Sequence, residues 1–215
     1  MFFCNEDFYF NKEWKVSITP YKNSGILFIE NVYEHPYKVY EYLKSIPIKS
    51  HKESTPKSHN GKSFYDGQHY ANNSWDDGRA ILFQEIVKLY QVKAPDIFPP
   101  QSMYNQFRLL EDHPGHEYFF CPHTDNHVNF CLYLNPDVGD SAGTVLYSQV
   151  DKDFKFYRGL EHEEPWQTEE RFKPELCIMS KFNCAVCFPG HLLHAQNIMD
   201  NRFKHKTRFT EVAFF

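Results

Sequence analysis

The segment from Cys121 to Tyr147 decides the fold that we predict for this chain. It begins with Cys121-Pro122-His123-Thr124-Asp125-Asn126-His127, continues with the apolar run at 128–134, and ends with Ser141-Ala142-Gly143-Thr144-Val145-Leu146-Tyr147. Side chains two positions apart on an extended strand point to the same face. His123 and Asp125 should therefore project side by side, as two of the three ligands of a two-histidine, one-carboxylate metal site do.

The third ligand of such a site has to come from farther along the chain. The sequence Phe188-Pro189-Gly190-His191-Leu192-Leu193-His194 follows an apolar strand pattern at 182–188. We prefer His194, because it stands where a new strand would begin after the two leucines. His191 remains an alternative third ligand. His127 also stays open, since it lies four positions after His123 and shares its face if the strand is regular.

A cation near the end of the chain is the candidate for binding an anionic ligand. Residues 206–215 have the pattern of a final strand in which Arg208 is embedded among apolar neighbours. A lone buried charge is costly unless it is paired, and an arginine matches a carboxylate with two parallel hydrogen bonds. Lys206 competes with Arg208 for this role. Arg202 and Lys204 fall in a polar turn at 200–205, where we expect them to stay solvated.

Taken together, these segments resemble the 2-oxoglutarate- and Fe(II)-dependent dioxygenases, in their prolyl-hydroxylase-like branch. One His-x-Asp pair is weak evidence in a chain with 12 histidines, but several pieces in the family's order are far more specific. They cover about half of the chain, roughly residues 100–215. The matching pieces are His123-Thr124-Asp125, Leu132-Tyr133-Leu134-Asn135, Ala142-Gly143-Thr144 (more often Gly-Gly in the family), Phe188-Pro189-Gly190-x-x-x-His194 and Arg208-Phe209-Thr210.

The resemblance implies a fold, a reaction and a set of site residues. The fold is a double-stranded β-helix, or jelly roll, and the cofactors are Fe(II), the cosubstrate 2-oxoglutarate and O2, with ascorbate as a further candidate. His123, Asp125 and His194 would be the catalytic metal ligands, and Arg208 and Tyr133 would bind the distal carboxylate of 2-oxoglutarate. Members of the family couple oxidative decarboxylation of 2-oxoglutarate, which gives succinate and CO2, to oxidation of a substrate C–H bond.

Two alternatives keep the fold and change the function. A jelly-roll binding protein could retain the metal site and perform no oxidation. A cupin-like metalloenzyme could use the metal without 2-oxoglutarate, in which case Arg208 would be dispensable. Fold and metal site do not select the substrate, so a protein side chain and a small molecule both remain open, as does the oligomeric state.

The N-terminal part predicts strands and helices that support the jelly roll. Strands are expected at 15–19 and 25–30, and a helix should start near Pro36 and end before Pro47. A second helix should be capped by Asp76 or Asp77; its predicted apolar stripe is Ala80, Ile81, Ile86, Val87 and Tyr90. We expect one mostly β domain with flanking helices over 1–215, with support elements at about 1–100 and the catalytic core at about 101–215.

Three segments each permit more than one interpretation. The polar stretch 49–77 is either a mobile surface loop or a lid whose residues 65–70 fold over the mouth of the site. Residues 104–110 form a strand that either lines a cavity or lies at a sheet edge. The charged stretch 151–175 is a solvated insertion, a lid, or, through His162, a second metal site.

Composition argues against several classes of protein. A chain with a formal charge of −5 lacks the basic surface of a general nucleic-acid binder, although a nucleic-acid substrate held by a local basic patch stays open. No apolar run reaches the ~20 residues of a membrane span, and the N-terminus has no signal-peptide pattern, so we expect a soluble cytoplasmic protein. The six cysteines do not form a disulfide framework. Cys184 and Cys187 should face opposite sides of one strand, as core residues and not as zinc ligands.

Overall fold

The computed structural model describes residues 3–49, 65–93, 100–109, 122–125, 128–137, 142–150, 170–198, 200 and 202–215. The helices are α1 (Pro36–Ser45), α2 (Asp77–Leu89) and the short α3 (Arg202–His205), preceded by a 3-10 turn at Asn5–Phe8. The strands are β1 (Lys15–Tyr21), β2 (Ser24–Glu30), β3 (Tyr65–Asn72), β4 (Ser102–Leu109), β5 (Val128–Tyr133), β6 (Thr144–Gln149), β7 (Phe172–Ile178), β8 (Cys184–Pro189), β9 (His194–Gln196) and β10 (Arg208–Phe214).

The strands form two antiparallel sheets that face each other. The larger sheet has seven strands in the order β1-β2-β8-β5-β10-β4-β3, and the smaller has three in the order β7-β6-β9. Non-sequential neighbours such as β5 between β8 and β10 are typical of jelly-roll connections. The prediction of a mostly β, jelly-roll-like fold with flanking helices is confirmed.

Strand alternation gives the seven-stranded sheet two different faces. On β5, Val128, Phe130 and Leu132 belong to the core beneath the helices, whereas Tyr133 packs with Leu146 of the smaller sheet. Because successive side chains alternate, Asn129 and Cys131 share the face of Tyr133. We call this side, which is turned toward the three-stranded sheet, the inner face. On β10 the inner face carries Arg208, Thr210, Val212 and Phe214, since Thr210 pairs with Tyr133.

Helix α2 begins as the sequence predicts but packs through a different stripe. The carboxylate of Asp76 caps it by accepting hydrogen bonds from the backbone N–H groups of Arg79 (2.9 Å) and Phe10 (3.2 Å). The buried apolar residues are Leu82, Phe83 and Ile86, whereas Ile81 is 44% exposed. The predicted stripe is wrong at Ile81 because the contacting face runs from residue 79 through 82, 83 and 86 at helical spacing, and residue 81 lies off it.

The polar stretch at 49–77 is partly regular structure. Residues 65–72 form β3, which pairs along its whole length with β4, so the interpretation of this part as an irregular loop is wrong. Pairing with β4 satisfies its backbone groups, and its end position in the sheet tolerates polar side chains. Strand β4 lies between β10 and β3, which rules out the edge-strand interpretation of 104–110. Residues 50–64 lie outside the described part of the chain.

The charged stretch at 151–175 overlaps a strand that the sequence did not reveal. Strand β7 (Phe172–Ile178) pairs with β6 at one end of the three-stranded sheet. Most of its side chains are exposed or half-buried, so it lacks the apolar signal of an interior strand. Residues 151–169, which include the proposed lid and His162, lie outside the described residues.

The two cysteines of β8 face opposite sides of the sheet, as their spacing predicts. Cys187 is buried in the core beneath the helices, and Cys184 lies on the opposite face by strand alternation. All cysteines of the described segments are free thiols. No helix in these segments is both long and apolar enough to cross a membrane.

Candidate metal centre

The structure brings His123, Asp125 and His194 together between the two sheets. Their candidate ligand atoms all lie within 4.8 Å of one another, and the three could hold a metal ion. Asp125 Oδ2 is 3.3 Å from His194 Nε2 and 3.8 Å from His123 Nε2. Neighbouring ligands of an octahedral ion at ~2.1 Å bond lengths lie about 3 Å apart. The observed spacing therefore needs only small side-chain movements to close on an ion.

A single antiparallel bridge sets the distance between the two histidines. His123 and His194 exchange both backbone N–H to C=O hydrogen bonds, each 2.9 Å long. The imidazole rings consequently lie side by side, with centroids 4.3 Å apart. The backbone N–H of Asp125 donates to the carbonyl of Gly190 at 2.7 Å. Residues 122–125 do not form the continuous strand that the sequence suggested; a bridge and one loop contact place the dyad instead.

The hydrogen bonding of His194 directs its second ring nitrogen, Nε2, toward the carboxylate of Asp125. His194 Nδ1 lies 2.8 Å from the carbonyl oxygen of Leu192, which only accepts, so Nδ1 carries the proton. In the neutral imidazole, Nε2 is then an acceptor that faces a carboxylate oxygen at 3.3 Å, and the amide of Asn129, whose Nδ2 lies 3.1 Å from Nε2, is the donor between them. A metal ion in the same place would bring a positive charge between the two acceptors. The donor set of two imidazoles and one carboxylate suits Fe(II).

Asp125 is held in the charged form that a metal ion requires. Burial alone would raise the pKa of its carboxyl group. The polar contacts of Asp125 with His194, His123 and the amide of Asn129 outweigh burial and lower the pKa to about 2. The carboxylate is therefore ionised at physiological pH without any metal bound.

The two alternative histidines have different outcomes. His191 is exposed in the turn before β9 and is not part of the cluster of candidate ligands. His127 lies outside the described residues, so its part in the site stays a prediction.

Arg208 is buried at the start of β10 on the inner face. It is 5% exposed; its Nε donates to the carbonyl of Ala142 at 3.1 Å, and Nη2 lies 3.4 Å from the carbonyl of Gly143. Among the described residues, no carboxylate pairs with it. Burial lowers the pKa of its guanidinium, which reflects a charge removed from water. A bound carboxylate would offset that cost.

Tyr133 and Thr144 stand next to this guanidinium. The Tyr133 ring centroid is 6.0 Å from the Arg208 guanidinium carbon, and the Tyr133 hydroxyl lies 2.8 Å from Thr144 Oγ1. Burial raises the pKa of Tyr133, so its hydroxyl stays protonated and can donate. Thr144 belongs to the Ala142-Gly143-Thr144 motif, but the sequence did not indicate that its hydroxyl would contact Tyr133. The two hydroxyls and the guanidinium form what we call the arginine pocket.

The other C-terminal cations have partners on the surface. Lys206 is exposed and pairs with Asp137 at 2.7 Å, and Arg202 pairs with Asp200 at 2.7 Å. Of the candidates that the sequence offered, Arg208 is the one placed on the inner face.

Gly143 is required by a close approach of β7 to the arginine pocket. A Cβ added to it would lie 1.9 Å from the carbonyl oxygen of Ile178 and 2.8 Å from the backbone nitrogen of Ser180. We expect Gly143→Ala to destabilise the protein by about 1–3 kcal/mol, because backbone would have to move. Urea unfolding followed by circular dichroism measures this. The control is Gly25→Ala, whose Cβ would meet only the side chain of Ile18 at 3.0 Å; an equal loss in both variants would contradict the expectation.

Asn129 is a second residue that sequence reasoning missed. It lies on the inner face of β5, is 1% exposed, and its Nδ2 donates to Asp125 Oδ2 at 3.0 Å. The sequence does contain a sign of it: Asn129 is a polar residue in a mostly apolar strand, and it lies four positions before Tyr133, on the same face.

Comparisons with known proteins give structural likeness alone. No protein-family model matches the chain, and no curated protein matches its sequence. A prolyl-4-hydroxylase from Pseudomonas putida is 12% identical, with a TM-score of 0.41, over 83% of this chain and 81% of that one. IDO from Bacillus thuringiensis is 10% identical, with a TM-score of 0.42, over 92% and 96%. E. coli ycfD is 11% identical, with a TM-score of 0.42, over 94% of this chain and 54% of its own length. At these scores the likenesses carry no argument about function, which has to be argued from the site.

Proposed function

We propose that this protein is an Fe(II)- and 2-oxoglutarate-dependent dioxygenase that hydroxylates a C–H bond of a protein side chain or a small molecule. The overall reaction is R–H + O2 + 2-oxoglutarate → R–OH + succinate + CO2. The observation that supports it is a pair of sites on one inner face, a three-ligand metal centre and a buried arginine without a carboxylate partner among the described residues.

The relative position of the two sites suits a short dicarboxylate. Asn129, which contacts the metal centre, and Tyr133, which contacts the arginine pocket, lie four residues apart on β5, or roughly 13 Å along the strand. Side chains that extend along the inner face from both ends would shorten this span toward the length of a five-carbon chain. One end of 2-oxoglutarate would meet the metal, and its distal carboxylate would meet Arg208.

Each residue then has a defined task. His123, Asp125 and His194 would hold the ion on one side and leave the other positions open, and the iron supplies the oxidative chemistry. Arg208 would fix the distal carboxylate by charge-assisted hydrogen bonds. Tyr133 and Thr144 would contribute neutral donors to the same carboxylate, while the apolar inner residues exclude water from the cosubstrate.

The proposal extends to organisation and location. We propose a single domain, because the N-terminal strands β1, β2 and β3 lie in the same sheet as β5 and β10. We also propose a cytoplasmic enzyme with a protein or small-molecule substrate, no membrane partner and no nucleic-acid partner.

The first measurement of the test needs no knowledge of the substrate. Protein loaded with Fe(II) under anaerobic conditions is mixed with 2-oxoglutarate, and the visible absorption spectrum is recorded. A weak charge-transfer band is expected, followed by succinate formation when O2 is admitted. Bound iron with no band would reject the use of 2-oxoglutarate and favour the cupin-like metal-binding alternative. A band without succinate in the presence of O2 and candidate substrates would favour a binding protein.

Arg208→Met is expected to weaken 2-oxoglutarate binding by about 10–100-fold, because the distal carboxylate loses charge-assisted hydrogen bonds worth roughly 1.5–3 kcal/mol. The affinity is measured by titrating the charge-transfer band at saturating Fe(II). The matched control is Arg202→Met, which removes an arginine whose partner is Asp200 on the surface. Wild-type affinity in Arg208→Met would show that the arginine pocket is not the cosubstrate site.

A further inference from the structure

Asn129 contacts two of the three candidate metal ligands. Its Nδ2 lies 3.0 Å from Asp125 Oδ2 and 3.1 Å from His194 Nε2. The side chain projects from the inner face of β5, and only 1% of the residue is exposed. It is thus an outer partner of the carboxylate and also a neighbour of the ion's own position.

The other end of this amide is unsatisfied. Asn129 Oδ1 is buried and accepts no hydrogen bond from the described part of the chain. A buried acceptor without a partner costs free energy, and most such groups in native proteins have a structural or functional explanation.

Metal binding changes the partners available to Asn129. Since His194 Nδ1 donates to the carbonyl of Leu192, His194 Nε2 is the atom that would bind the ion. Its lone pair can then no longer accept from Asn129. One N–H of the amide can stay on Asp125, and the other would then be available to donate to a group in the open positions beside the ligands.

The amide of Asn129 can both donate and accept hydrogen bonds, so it can contact either water or a carboxylate in the open positions beside the metal ligands. Water in an open position beside the ligands can donate to Oδ1, and a carboxylate in the same place can accept from Nδ2. We propose that Asn129 is a cosubstrate-binding residue, whose amide donates a hydrogen bond to the metal-binding carboxylate of 2-oxoglutarate. This inference rests on the proposed function and adds a second anchor at the end opposite Arg208.

The test compares three variants at saturating metal, so that changes in metal affinity are separated from changes in cosubstrate affinity. Asn129→Leu keeps a similar volume and removes the amide. Asn129→Asp keeps the shape, removes the donors and adds a negative charge beside Asp125. The matched control is Asn73→Leu, which replaces an exposed asparagine between β3 and α2, outside the inner face. Metal binding is titrated first, and 2-oxoglutarate binding is then followed anaerobically through the charge-transfer band.

In both Asn129 variants, the dissociation constant of 2-oxoglutarate is expected to rise by about 10-fold or more, with a shifted absorption maximum. Asn73→Leu is expected to retain the wild-type constant. Because Asn129→Asp keeps the shape of the side chain, a loss of affinity in both variants cannot be explained by lost packing alone. If Asn129→Leu does not fold, Asn129→Asp carries the comparison.

Two outcomes would overturn the inference, and they differ. Wild-type affinity and an unshifted band in Asn129→Asp would show that the amide does not bind the cosubstrate, while the proposed function stands. Iron binding with no band even in the wild-type protein would reject the proposed function, and this inference with it.

Discussion

Asp125→Ala is expected to abolish tight Fe(II) binding and, with it, all turnover of 2-oxoglutarate. Asp125 supplies the anionic member of the ligand cluster, and its pKa of about 2 keeps it charged at neutral pH. Losing a partner outside the ligand shell typically costs 10–100-fold in metal affinity. Removing the carboxylate ligand itself should cost more than that.

The measurement is an anaerobic Fe(II) titration together with the charge-transfer band. The control is Asp137→Ala, which removes a surface carboxylate paired with Lys206 and should leave both readouts unchanged. Thermal unfolding of the metal-free proteins checks that Asp125→Ala still folds. Iron affinity equal to that of the wild type would mean that the ion binds elsewhere.

Arg79→Met is expected to destabilise the protein by about 3–5 kcal/mol, because it leaves a buried carboxylate without its counter-charge. Arg79 of α2 and Glu211 of β10 are 1% and 0% exposed and form a direct ion pair. The Glu211 carboxylate also accepts hydrogen bonds from the hydroxyl of Tyr33 and from Asn72 Nδ2, the latter at 2.9 Å. Burial alone would lower the pKa of Arg79, but the charge of Glu211 raises it overall.

The ion pair and its hydrogen bonds connect helix α2 to β10, the strand that carries Arg208. Arg79 also donates to Ser102 Oγ of β4 at 2.9 Å, and its guanidinium carbon lies 3.9 Å from the ring centroid of Phe10. A loss of 3–5 kcal/mol is a large part of the ~5–15 kcal/mol that stabilises a typical domain. Arg79→Met could therefore be largely unfolded at 37 °C.

Urea unfolding followed by circular dichroism measures the free energy of each variant. The control on the same helix is Lys88→Met, which breaks an exposed pair with Glu85 and should change stability by less than about 1 kcal/mol. The double variant Arg79→Met/Glu211→Leu should recover much of the loss, because neither charge is then left alone. Equal stability of Arg79→Met and Lys88→Met would contradict the assignment.

Local patterns in the sequence determined much of the fold. Alternation predicts β2, β5 and β10 within a few residues, since a strand that buries one or both faces must place apolar residues in step. Asp76 marks the start of α2 because its side chain can cap the helix locally. The resemblance of the motifs to the dioxygenase family named His123, Asp125, His194 and Arg208 as the candidates for the site.

Strands and side chains whose partners lie far along the chain escaped this reasoning. β3 and β7 carry polar residues at the ends of their sheets, and only their pairing with β4 and β6 makes them strands. The sequence likewise gave no sign that the hydroxyl of Thr144 meets that of Tyr133, or that Asn129 bridges Asp125 and His194.

By itself, then, the sequence determined the class of fold, the faces of its main strands and the candidates for the site. The tertiary structure decided which polar groups meet: His194 and not His191 beside Asp125, Arg208 and not Lys206 on the inner face, and Glu211 beside an arginine 132 residues away. The physical reason is that periodicity reports how each residue is buried, which is a local property. Which buried groups neutralise or bind one another depends on long-range strand pairing, which no short window of sequence contains.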